Sequence, residues 1–160
     1  MNGSDYFLKL DGISGESQDA RHKDEVEVAS WSWGEEQTII TSGGGGSAGG
    51  KVSMRDFQFA MRVNRATPQL IAACASGKRI KTVVLTGRRT GGAKFEFLKY
   101  TFSDAIVSSY GSAASEGGLP MEQVSLNYAQ IEVEYKEQRP DGSAGATHKA
   151  GWNRHANKPV

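Results

Sequence analysis

Four long stretches of this chain alternate apolar and polar residues, and each changes its apolar face once. In EVEVASWSW (Glu25 to Trp33), Val26 and Val28 share one face, while Trp31 and Trp33 take the other. In KVSMRDFQFAMRV, Val52 and Met54 give way to Phe57, Phe59, Met61 and Val63. In KFEFLKYTF, Phe95 and Phe97 give way to Leu98, Tyr100 and Phe102. In VSLNYAQIEVEY, Val124, Leu126 and Tyr128 give way to Ile131, Val133 and Tyr135. Side chains on a strand repeat every second residue, so one slip exchanges the buried and solvated faces. A strand accepts the exchange where it bends or bulges, as strands do when they turn a corner between packed sheets or round a small barrel. The pattern predicts a mainly β fold: a compact β-barrel of two packed antiparallel sheets. DYFLKL, from Asp5, adds a short strand.

One helix flanks this barrel, at about Pro68–Ser76. TPQLIAACASGK places Thr67 at the N-cap, Pro68 at the first helical position and Gly77 at the stop. Leu70, Ile71 and Cys74 fall on one face at helical spacing. Three turns are too few to be stable alone, so the helix needs the barrel surface. SYGSAASEGGLP, Ser109 to Pro120, reads as a polar loop. From Arg139 the chain is rich in Gly, Ala and charge, and most of it cannot offset its ordering entropy. Residues 1–138 are therefore expected to form the barrel domain, and 139–160 a tail partly docked through Trp152.

The 160 residues suffice for one domain with a sizeable core. Nineteen basic residues against 18 acidic ones leave a net charge of +1, which carries no footprint for nucleic acid or an anionic membrane. The doublets Lys78-Arg79 and Arg88-Arg89 read as solvated turn residues. Cys74 is the only cysteine, so no intrachain disulfide forms. No basic region followed by an apolar one opens the chain, and no apolar run approaches membrane-spanning length. The expectation is synthesis in the cytoplasm, with any export by a route that needs no cleaved signal.

Gly45 to Lys51 reads G-x-x-x-x-G-K, one residue short of a phosphate-binding loop. Val52 stands where Ser or Thr would hold Mg²⁺, and a strand pattern follows where a helix is required. The stretch is better read as a long connection between antiparallel strands, of the kind that is often functional. His22, His148 and His155 lack metal-ligand spacing, and His22 in RHKDE reads as a solvated strand entry. No G-x-S-x-G or argued Cys–His pair is present. These absences favour a protein that is not an enzyme and needs no cofactor. Trp31, Trp33, Phe57 and Phe59 are assigned to the core, which leaves Ser30 and Ser32 on the opposite, hydroxylic face.

Taken in order, YFLKLDGISGESQDARHKDEVEVASWSWG, GGGGSAGGKVSMRDFQF, TPQLIAACASGK, LKYTFSDAIVSSY, VSLNYAQIEVEYKEQRPDGS and GWN resemble the hemolysin-coregulated protein (Hcp) family. The likeness runs from about Asp5 to Asn153 without large gaps. It implies a structural subunit of the type VI secretion tube. Hexameric rings stack into a hollow tube that is expelled from a Gram-negative cell by a contractile sheath, tipped by a spike protein, and able to carry small effectors in its lumen. It also implies a task for the Gly-rich connection, at about residues 41–51, as the loop through which one ring meets the next. That loop holds Ser42, Gly43, Gly44, Gly45, Gly46, Ser47 and Lys51. Ser30 and Ser32 become the candidates to face the lumen and touch cargo. A ring uses heterologous contacts closed by rotation, and stacking repeats an axial contact without closure. A sugar-binding β-barrel module is the alternative, and it requires Trp31 and Trp33 to be exposed.

Overall fold

A computed structural model of the chain describes residues 3–41, 47–92 and 94–160. Period-two segments rich in aromatic and β-branched residues form strands. β1 (Ser4–Leu10) pairs with β2 (Val26–Glu27) on one side and β7 (Arg79–Arg89) on the other. β7 pairs with β8 (Glu96–Ala113), the longest strand. The first part of β8 pairs with β10 (Gln130–Gln138), and the sheet continues through β11 (Ala144–Asn153) to β12 (Lys158–Pro159). The last part of β8 pairs with β9 (Met121–Asn127), then come β6 (Phe57–Arg62) and β3 (Ser30–Ser32). These ten strands are one continuous folded sheet, and with the one helix they make the mainly β fold that the sequence pattern predicts. β4 (Glu35–Thr41) and β5 (Ser47–Met54) form a separate two-stranded ribbon.

Each face change has a structural cause. Residues 25–33 change partners: the Val28 N–H donates to Tyr6 O at 3.0 Å, and the next N–H, of Ala29, donates to Ala60 O at 2.8 Å. Arg55 and Asp56 separate β5 from β6, and Tyr128 and Ala129 separate β9 from β10. In β8, Leu98 faces Gly87 but Glu96 faces Arg88, so Phe97 is an extra residue at a bulge. Among the described residues the barrel is not closed by pairing: the ladder stops between β2 and β3, which the covalent chain joins. Inside the curve lie Leu8, Phe57, Met61, Leu85, Phe102, Val124 and Leu126, all fully buried.

α1 (Thr67–Ser76) packs on β8 and stops at Gly77, whose φ of 66° is the left-handed conformation that glycine accepts without strain. Its N-cap is Ala66, not Thr67. The Thr67 hydroxyl instead donates to the buried carboxylate of Glu122 at 2.9 Å. Ala66, Leu70 and Ala73 form the buried side, Cys74 packs half-buried beside them, and Ile71 is exposed. β8 reaches Ala113, so the polar loop shrinks to residues 114–120. The expected boundary at 138 falls between two paired strands, and the chain beyond it continues the same sheet.

Candidate functional site

Strand alternation builds a polar wall on the outside of β3, β6, β9 and the end of β8. Phe57, Phe59 and Met61 point inward from β6, and Val124 and Leu126 do so from β9. The intervening residues therefore point out. Across the four strands, Ser32, Gln58, Ser125 and Ser109 stand in one row, and Ser30, Ala60, Gln123 and Gly111 in the next. Ser30 and Ser32 are exposed. These two rows carry hydroxyl, amide and small side chains and no charge. At one end of the wall Asp56 accepts hydrogen bonds from Ser108 and Asn127; at the other stand Arg62 and Met121. The serines are legible from sequence; Gln58, Gln123 and Ser125 are not, because alternation marks them as solvated without saying what solvates them.

Both long edges of this wall lack a partner strand among the described residues. β3 pairs only with β6, and residues 107–113 of β8 pair only with β9.

Trp31 and Trp33 lie beneath the wall, half-buried against the core. Trp31 meets Tyr6 and Tyr100 edge-on at 5.7 and 5.1 Å. Trp33 donates its indole N–H to the Tyr128 hydroxyl, which donates to Arg55 O. Burial pushes the Tyr128 phenol above its ordinary range, so it remains a donor. Both indoles are half-buried, so neither stands fully exposed as the sugar-binding alternative requires.

The Gly-rich connection differs from a loop running to Lys51. Ser47 and Lys51 belong to β5, which pairs with β4 through a register shift between Gln37 and Ile39. Ser42, Gly43, Gly44, Gly45 and Gly46 lie outside the described residues. Between the ribbon and strands β10 and β11 runs a groove of about 460 Å³, lined by Trp33, Val52, Met54, Ile131, Val133 and Trp152.

Two further residues correct the sequence reading. His22 is buried, stacked on Phe7 at 4.4 Å, with Nδ1 3.0 Å from Glu25 and Nε2 2.7 Å from Glu96. Arg88 is also buried, 2.8 Å from Asp19 and 3.4 Å from Asp5. The hydrogen bond from Arg88, helped by the Arg21 N–H, holds the Asp19 carboxyl well below the usual carboxylate range. Among the described residues, no group of three or more His, Cys, Asp or Glu is placed to hold a metal ion. No helix among the described residues is long and apolar enough to cross a membrane.

An antiparallel sheet folded round one core, with a polar outer wall and a projecting ribbon, defines a class of β-rich proteins whose distinctive features are surfaces. Within that class the chain belongs to the Hcp family of type VI secretion proteins. The family model described as "Type VI secretion system effector, Hcp" matches residues 7–135. Protein hcp1 of Pseudomonas aeruginosa is 39% identical over 152 residues, covering 93% of this chain and 94% of that protein. The crystal structure of Hcp1 from Salmonella typhimurium, 38% identical, superposes over the full length of both chains with a TM-score of 0.83. A structure of a type six secretion system protein, 31% identical, gives a TM-score of 0.94 over 99% of this chain and all of that one.

Proposed function

We propose that this chain is a structural subunit of the type VI secretion tube and does no catalysis. Six copies close into a ring, rings stack into a hollow tube, and the uncharged wall faces the lumen. The observation that carries this reading is the pair of unpaired edges on the wall. An open edge offers a row of free N–H and C=O groups, and an edge at each side lets one copy continue into the next until rotation closes the ring. Facing inward, Ser30 and Ser32 meet small effectors through hydroxyl contacts, and the absence of charge in the two rows lets cargo of either sign pass. The ribbon, including Ser47 and Lys51, reaches toward the next ring. The sheath and spike of the system and the effectors are the other partners. The subunit waits in the cytoplasm and leaves through the apparatus without a cleaved signal peptide.

Light scattering on a sizing column tests this. A native mass of six 17.2 kDa chains is expected. A monomer at every concentration from micromolar to millimolar overturns it.

A further inference from the structure

We propose that the groove between the ribbon and strands β10 and β11 is a socket for a second copy of this chain. The segment that fills it is the apolar patch of Val63, Leu119 and Met121, with Arg62 of that copy meeting Glu35. The proposal rests on the reading of the chain as an assembling subunit and names one of its contacts.

The three residues of the patch are neighbours along the backbone. The Val63 N–H donates to Pro120 O at 3.2 Å, which joins the end of β6 to the turn before β9. Leu119 is 67% exposed, Val63 43% and Met121 38%. Exposed apolar clusters of this kind mark contact surfaces. The socket is lined by apolar side chains together with Glu35, Gln37 and Asn157, and its volume is in the range that encloses a drug-sized group, so a few side chains fill it.

The charges match. Arg62 stands opposite Met121 in the ladder and is exposed, and it makes no ion pair among the described residues. Glu35 lines the socket, is exposed, and is likewise without an ion pair among the described residues. The chain thus carries a cation beside its patch and an anion beside its socket.

The placement also matches. β9 runs from Met121 to Asn127, about 20 Å at roughly 3.3 Å per residue. The patch lies at its first end. Tyr128, just past its other end, bonds Trp33 in the socket wall. A patch at one end and a socket at the other join copies head to tail, a heterologous contact that repeats.

Native mass against concentration is measured for wild type, Leu119→Asp, Arg62→Glu, Glu35→Arg and the double variant Arg62→Glu/Glu35→Arg. The altered side chains are exposed, and unchanged circular dichroism and melting confirm folding. Each single variant is expected to raise the apparent dissociation constant at least about tenfold, and the double variant to recover most of the loss. Wild-type assembly with equal assembly of every variant overturns the socket, assigns the patch to a different protein or to none, and leaves the tube reading intact. Weakened single variants without recovery in the double variant overturn the Arg62–Glu35 pairing. A monomeric wild type overturns both readings.

Discussion

Arg88 and His22 are polar residues in charged stretches, and both are buried. The guanidinium of Arg88 lies 4.8 Å from the centroid of the Phe7 ring, on which His22 also stacks. A desolvated cation over an aromatic face is attracted to it, and Asp5 and Asp19 supply the opposite charge. Because the folded chain holds the Asp19 carboxyl below its ordinary 3.8, it binds fewer protons than the unfolded chain in acid. The resulting stability is present above the ordinary aspartate range and is lost as pH falls through and below it. Asp19→Asn is expected to lower stability at pH 7 and to flatten the decline between pH 5 and pH 2. Urea unfolding of both proteins across that range checks this; parallel curves count against it. Phe57 is fully buried among aromatic rings, including Phe102 at 4.8 Å. Phe57→Ala is expected to cost about 3–5 kcal/mol in the same assay.

At the scale of elements, α1 ends because Gly77 enters the left-handed region, with its N–H donating to Ala73 O. Gly77→Ala is expected to destabilise by about 1–2 kcal/mol, the cost of placing a Cβ there. Thermal melting at neutral pH reads this shift, and an unchanged midpoint contradicts it. The stop was legible because glycine has few reasons to follow an apolar helical run. The four corners were legible too, since a buried face cannot change sides without a bend. The cap was not: Thr67 has the right chemistry, but Glu122, 55 residues away, takes its hydroxyl. Nor was β11, whose ATHKAG sequence has no apolar rhythm and is a strand because β10 offers it an edge. His22 was misread for the same reason, since Phe7 and Glu96 bury it from distant parts of the chain. Of the wall, alternation revealed the serines, but their row with Gln58 and Ser125 exists only through register.

At the scale of the whole molecule, the sheet admits no division at residue 138. Removing 139–160 strips β11 from β10 and leaves Ile131 and Val133 without Trp152 beside them. The shortened chain is expected to melt at a lower temperature and to aggregate through the bared edge of β10. A melting temperature equal to that of the full chain would instead mark the segment as dispensable.

The gap between β2 and β3 has a mechanical consequence. Elsewhere round the curve, flattening or tightening the sheet strains hydrogen bonds between neighbouring strands. Here Val28 is tied to Tyr6 and Ala29 to Ala60, so a change of angle between the two ladders falls on the single linkage from Val28 to Ala29 and on no rung between β2 and β3. The fold thus has a joint, placed beside the strand that carries Ser30 and Ser32, about which the curvature of the wall can adjust.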